Sequence, residues 1–249
     1  MPISRHGNRP EETQGNHLES TYRLVCGKSQ GDESRAGGGR DLAREFEEQV
    51  ERLAALPKAS NGCLEKPFAS GQEHEVFEAE DPDFIYRLTL HGTFGVLLRA
   101  GMRIDKVTQA YVTFLHLTTA TPAEYLRRLT LQNDVFGNVF EFVGIHYGTH
   151  GAAIVTSHPY IAGGPATDDE IAQFMEALAF RRVPEEHVQN DTMNAFTWYR
   201  ATDAVLITDA APRNFKKTGD GHIIPIDLVV QHWPGLDERL GFFGAQFSS

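Results

Sequence analysis

The stretch from Ala204 to Val230, AVLITDAAPRNFKKTGDGHIIPIDLVV, decides how the rest of the chain is read. AVLITDA and GHIIPIDLVV have the apolar, β-branched make-up of short strands. Between them Asp209, Pro212, Asn214 and Gly219-Asp220-Gly221 are turn formers. Taken singly, each of these polar residues is an ordinary turn residue. Taken together, they place Asp209 and Asn214 on the loop after one apolar strand and Asp227 at the end of IIPID, before the next.

Working outward, Gly163-Gly164-Pro165 precedes TDDEIAQFMEALAF, a capped helix with Ile171, Phe174, Met175 and Leu178 on one face. VFEFVGIHYGTHGAAIVTSHPYI reads as a hairpin around Gly148-Thr149-His150-Gly151. Thr121-Pro122-Ala123-Glu124 is a helix start, with a capping Thr, Pro in the first turn and Glu three residues on; the helix should run to about Asn133. YVTFLHLTT is a strand, as are KPFASGQEHEVFEAED and DFIYRLTL, linked through Glu80-Asp81-Pro82-Asp83. Upstream, Leu42, Phe46, Val50, Leu53 and Leu56 recur at helical steps until Pro57. These patterns predict a mobile polar leader over 1–40, an amphipathic helix and linker over 41–65, a first lobe over 66–160 and a second over 161–249.

With 23 basic against 34 acidic residues the net charge is −11, so no general attraction draws the chain to phosphate backbones or anionic membranes. Two cysteines, Cys26 and Cys63, are too few for a stapled scaffold and predict reduced thiols. No run approaches the ~20 apolar residues that span a bilayer, and the N-terminus has no apolar signal core, which predicts a cytoplasmic protein. Gly27-Lys28-Ser29 lacks the glycine five positions earlier that a phosphate loop needs, since residue 22 is Tyr. His146 and His150 are spaced like metal ligands but lack a third, and are read as exposed turn residues.

Phosphoryl transfer needs one carboxylate to orient the attacking hydroxyl, and an amide oxygen with a second carboxylate to hold Mg²⁺ against the ATP phosphates. Asp209, Asn214 and Asp227 supply that set in order. The segment resembles the catalytic loop and metal-binding strand of the protein-kinase-like superfamily, D-x-x-x-x-N followed by D-F-G. With TPAEYLRRLTLQNDVFGN and GIHYG, the chain from Lys66 to Val230 is similar to the kinase-like domain found in phage and mobile-element polyvalent proteins.

The resemblance implies an α+β, two-lobed protein-kinase-like fold with a truncated C-lobe, since 22 residues follow Asp227. It implies Asp209 as the catalytic aspartate and Asn214 and Asp227 as Mg²⁺ ligands. Gly71, Gln72 and Glu73 would form a reduced glycine-rich loop and Val76 would lie over the base. Arg87 would replace the phosphate-binding lysine and pair with Glu124, and Thr156–Gly164 would be the hinge. The cofactors implied are ATP and Mg²⁺, and the partners ATP and a hydroxyl acceptor on a protein or small molecule, with neither nucleic acid nor membrane. Arg in place of Lys, and Ile207-Thr208 in place of His-Arg before Asp209, leave two rivals open: a pseudokinase or nucleotide-binding interaction module without efficient turnover, and an unrelated α+β binding domain.

Overall fold

The computed structural model describes residues 16–27, 42–60, 64, 66–104, 106, 109, 111–189 and 196–236. The first elements among the described residues are two helices, α1 (Asn16–Cys26) and α2 (Leu42–Leu53). Strands β1 (Ala69–Ser70), β2 (His74–Glu78) and β3 (Phe84–Thr89) follow, then a long hairpin of β4 (Val96–Ile104) and β5 (Tyr111–Thr119), and helix α3 (Pro122–Phe136). After the hairpin β6 (Glu141–Gly148) and β7 (Gly151–Pro159) come β8 (Gly164–Pro165), α4 (Asp168–Ala177), β9 (Arg181–Arg182) and β10 (Val188–Gln189). The last third holds β11 (Phe196–Arg200), β12 (Val205–Ala210), β13 (Phe215–Lys217), β14 (Ile223–Pro225) and β15 (Val229–His232). The architecture is α+β, and no helix among the described residues is long and apolar enough to cross a membrane.

Four sheets result. The first runs β1-β2-β3-β7-β6, the second β10-β5-β4, the third β15-β12-β11-β9 and the fourth β14-β13-β8. α1, α2 and α3 cover the first sheet: Leu18, Val25, Leu53, Phe94, Leu126, Leu129, Ile145 and Ile154 form one core. A second core gathers Ile171 and Met175 of α4 with Trp198, Ile207, Phe215 and Val230, and α3 reaches it through Leu131. Nine of the fifteen residues of α3 are buried, so this is the helix between two cores rather than a surface helix.

Local chemistry accounts for the main boundaries. Thr121 caps α3, its hydroxyl accepting from the Glu124 amide at 3.3 Å while the Glu124 carboxylate accepts from the Thr121 amide at 2.9 Å. Gly137 ends the helix at φ 67, returning its N–H to the Asn133 carbonyl at 2.8 Å, as a left-handed cap requires. Thr167 and Glu170 cap α4 in the same way. Beyond α2, the chain at Pro57–Ala59 adds to the edge of the first sheet by exchanging two hydrogen bonds with Ile145. A Cβ at neighbouring Gly144 would lie 2.6 Å from the Ala59 nitrogen, so this close approach requires glycine.

Three expectations change. The leader expected over 1–40 contains α1, whose Leu18, Thr21 and Val25 are buried; a stripe with Thr in the middle of it does not read as apolar. Arg52 ends α1 by donating to the Val25 and Cys26 carbonyls at 2.9 and 3.0 Å. The parts of the leader at 1–15 and 28–40 lie outside the described residues. Strand β4 has no counterpart in the sequence reading, because Arg99, Gly101 and Arg103 interrupt its apolar pattern. The division expected at residue 160 is not followed by the packing. Leu98 and Leu115 of the β4–β5 hairpin pack with Tyr199 and Leu206, and the Gln231 side chain bonds both the amide and the carbonyl of Leu98 at 2.8 and 3.0 Å.

Removing the α3 cap with Thr121→Ala costs about 1 kcal/mol. A lower urea midpoint with unchanged m-value is the expected readout, since the fold and its buried area are retained.

Candidate functional site

The loop after β12 carries Asp209 in a left-handed conformation, φ 58, which Asp tolerates better than bulky residues. The turn lets the backbone double back: the Ala211 amide donates to the Asp209 carbonyl at 2.8 Å, and a 3₁₀ turn over Pro212–Asn214 follows. The buried Asn214 amide then donates to the Asp209 carbonyl at 2.7 Å and to its carboxylate at 2.8 Å. Exposed Arg213 donates to the other carboxylate oxygen at 2.5 Å. Burial pushes the Asp209 carboxyl up to about 6, with the nearby Asp227 and Glu73 charges adding to the effect, against the pull of Arg213 and Asn214.

The Asn214 carbonyl accepts from the Ile226 amide at 2.8 Å, which sets this loop beside the segment carrying Asp227. Arg87 lies 2.6 Å and Arg128 3.0 Å from the same Asp227 oxygen, Oδ1. Arg87 also donates to the Ile226 carbonyl at 3.1 Å, and Arg128 to the Leu228 carbonyl at 2.7 Å, so the two guanidiniums hold the backbone on either side of Asp227. Arg128 reaches Glu73 at 2.8 Å, and the other Glu73 oxygen accepts from the Val96 amide at 2.8 Å. His74 Nδ1 accepts from Arg87 at 2.8 Å; since Arg can only donate, the proton is on Nε2, which donates to the Tyr125 hydroxyl at 3.0 Å.

The charges follow from these contacts. Burial opposes ionisation of Asp227, yet the charges of Arg87 and Arg128 hold its carboxyl well below the usual range. Burial likewise opposes the charge on both arginines, and Asp227, joined at Arg128 by Glu73, more than restores it. Burial and the Arg87 charge lower the His74 pKa far enough to leave the ring neutral, so its approaches to Glu73 and Asp227 at 3.9 and 3.8 Å are not ion pairs. His158, its ring 4.9 Å from that of Phe140, is lowered to about 4 by burial and by Arg87.

The expected site residues are therefore partly assembled. Asp209 and Asn214 are bonded to one another and adjoin Asp227, with Arg87 on Asp227. Gly71 closes a tight turn, its amide donating to the His74 carbonyl at 2.8 Å; Gly71 and Gln72 are exposed, while Glu73 is fixed to β4 and α3. Val76 lies opposite Arg87 in the β2–β3 register. Thr156–Pro159, expected as hinge, belongs to β7 and pairs with β3. Glu124 does not meet Arg87: it completes the α3 cap and takes Arg99 at 2.6 Å. The α3 residue that reaches the cluster is Arg128, one turn further along. His146 is also not a free turn residue, since its Nδ1 is 2.8 Å from His91 Nε2.

Arg128, His74, Tyr125 and His158 were missed by the sequence reading. A signal existed for Arg128 alone, a charged residue among the buried positions Tyr125, Leu126 and Leu129 of α3.

A Mg²⁺ ion held between Asn214 and Asp227 would compete for Asp227 with two guanidiniums that already share its Oδ1. Ligand atoms of Glu73, His74 and Asp227 do lie within 4.8 Å of one another. Glu73 Oε2, His74 Nδ1 and Asp227 Oδ1 each accept a guanidinium N–H, while Asn214 donates to Asp209 through Nδ2, a bond that does not use its side-chain oxygen.

An aspartate on a loop is thus bonded to the asparagine five residues on, beside a second aspartate held by a strand arginine. Residues 108–232 match the model of the Serine/Threonine/Tyrosine Kinase found in polyvalent proteins, half of the chain, and the chain belongs to that family. The matched span includes Arg128, Asp209, Asn214 and Asp227 and begins after Arg87. No curated protein and no solved structure matches the chain.

His158 sets an acid limit on stability. Its folded pKa of about 4 lies below its ordinary 6.5, so its contribution is complete above 6.5 and is lost as pH falls toward 4. That shift corresponds to roughly 3 kcal/mol across the window. In denaturant titrations from pH 7 to 4, His158→Asn is expected to reduce the slope of stability against pH by about one proton's worth, a slope to which His74 adds and from which Asp209, with its raised pKa, subtracts.

Proposed function

We propose that this chain transfers the γ-phosphoryl group of ATP to a hydroxyl of a protein or small molecule. The observation that carries the proposal is the Asp209–Asn214 loop. Its left-handed turn, the Asn214 amide on one carboxylate oxygen and a carboxyl raised to about 6 suit a group that orients a hydroxyl and accepts its proton near neutral pH. The acceptor oxygen forms the new bond to the γ-phosphorus, the bond from that phosphorus to the β-bridging oxygen breaks, and ADP leaves. The acceptor proton passes to the Asp209 carboxylate. Catalysis of this kind is mostly positioning and charge stabilisation.

In this reading the Gly71–Glu73 turn and Val76 line the nucleotide side of a cleft between two lobes, the 209–214 loop lines the acceptor side, and the chain beyond β7 borders the base. Family membership supports phosphoryl transfer as the class of reaction. A second reading, a nucleotide-binding interaction module without turnover, is favoured by one observation: the Asp227 oxygen is shared between Arg87 and Arg128.

Transfer of labelled γ-phosphate to the protein and to generic hydroxyl acceptors tests the proposal. Asp209→Asn is expected to lose about 10²- to 10⁴-fold in rate with ATP binding retained. The wild-type rate should fall on the acid side as pH drops through about 6, because only the carboxylate form accepts the proton. ATP binding without transfer by the wild type would select the second reading.

A further inference from the structure

The place where a kinase-like site would draw a divalent cation is filled by the chain's own cations. Glu73, His74 and Asp227 present ligand atoms within 4.8 Å of one another, the arrangement of a small metal site. All three residues face guanidiniums instead. Glu73 Oε2 takes Arg128 at 2.8 Å, His74 Nδ1 takes Arg87 at 2.8 Å, and Asp227 Oδ1 takes both at 2.6 and 3.0 Å. Glu73 and Asp227 are balanced by Arg87 and Arg128, and the adjoining Asp209 by Arg213, so the ionised groups of the cluster sum to no net negative charge, and neutral His74 adds none. The arginines cannot withdraw easily. Both side chains are 5% exposed, and each is tied to a backbone carbonyl flanking Asp227. A guanidinium also cannot shed its charge at any working pH.

We infer that Asp227 is the shared acceptor of an internal arginine pair rather than a metal ligand, and that this protein takes up its nucleotide without a divalent cation bound at Asp227. The inference deepens the proposed function and rests on its nucleotide-binding part. It assigns Arg128 and His74, which lie outside the expected site, to the set that replaces the cation. Arg87, Arg128 and Glu73 act on the site by fixing Asp227 and are positioning residues.

Three measurements on the full chain test it. In the first, Mn²⁺ alone is titrated into wild-type protein and followed by electron paramagnetic resonance; no saturable site is expected. A saturable site that is lost in Asp227→Asn would overturn the inference. In the second, the thermal midpoint is measured in EDTA. Asp227→Asn is expected to lower it, since both arginines lose their shared partner, whereas a carboxylate kept for an absent metal would be relieved of repulsion and the midpoint would rise. Arg128→Met should gain a saturable Mn²⁺ site by freeing Glu73 and Asp227, and failure of the folded variant to gain one would count against guanidinium as the occupant. In the third, wild-type affinity for ATP is compared in EDTA and in excess Mg²⁺. Agreement within about threefold is expected, and loss of binding in EDTA would overturn the inference. No ATP binding in either buffer would instead refute the proposed function, and the wild-type Mn²⁺ titration would then decide the status of Asp227 by itself.

Discussion

One carboxylate oxygen, Asp227 Oδ1, accepts from Arg87 of β3 and Arg128 of α3 at once. The two arginines come from elements that are not consecutive in the chain, and the aspartate comes from the segment between β14 and β15, about a hundred residues further on. The contact therefore joins the first sheet, the central helix and the third sheet at a single point. Breaking such a buried pair by removing one partner costs about 3–5 kcal/mol, because a charge is left without compensation. The net worth of forming it is much smaller, since three charges must first leave water. Its value lies in specificity: an apolar replacement could pack as well but would not dictate where residues 226–228 sit relative to α3. Arg128 Nε on the Leu228 carbonyl, and the Gln132 side chain near the Leu228 amide at 3.4 Å, do dictate it.

Much of the fold was legible because its boundaries are set locally. Thr121 with Glu124 and Thr167 with Glu170 are capping boxes in the sequence and in the structure, and β5 spans the predicted YVTFLHLTT. Asp209 and Asn214 were legible for a similar reason: five positions apart on one turn, they must meet. What failed was information held between distant segments. Whether Arg87 pairs with Glu124 or with Asp227 depends on how α3 is rotated against the sheet, and no local pattern encodes that rotation. Glu124 had two sufficient local roles, cap and partner of Arg99, and the local roles won. Helix α1 was hidden differently, because its buried face carries Thr21 between Leu18 and Val25.

The same geometry sets two neighbouring carboxylates in different environments. Asp209 and Asp227 lie close enough for the charge of one to raise the pKa of the other, yet their environments push them in opposite directions. Asp209 is half-buried with one exposed arginine and an amide, and its carboxyl rises to about 6. Asp227 is held by two buried arginines and stays ionised far into the acid range. Divergent environments of this kind sort neighbouring acids into a proton acceptor and a fixed charge.

The fixed charge also bears on how the loop is held. Asp227 follows Ile226, whose amide donates to the Asn214 carbonyl and whose carbonyl accepts from Arg87. Asn214 in turn carries the two bonds that hold Asp209 in its left-handed turn. A continuous path of hydrogen bonds thus runs from the β3 arginine through residue 226 to the loop aspartate, with no side chain of the first core in between. A strained, non-glycine turn of order 1–3 kcal/mol persists only where its surroundings over-determine it. Here the surroundings are the Asn214 bonds, and Asn214 is itself held in register by the segment that the arginine pair clamps. The clamp on Asp227 is therefore part of what keeps Asp209 aimed, which gives the arginine pair a reason to be buried and doubled even though neither guanidinium touches the loop.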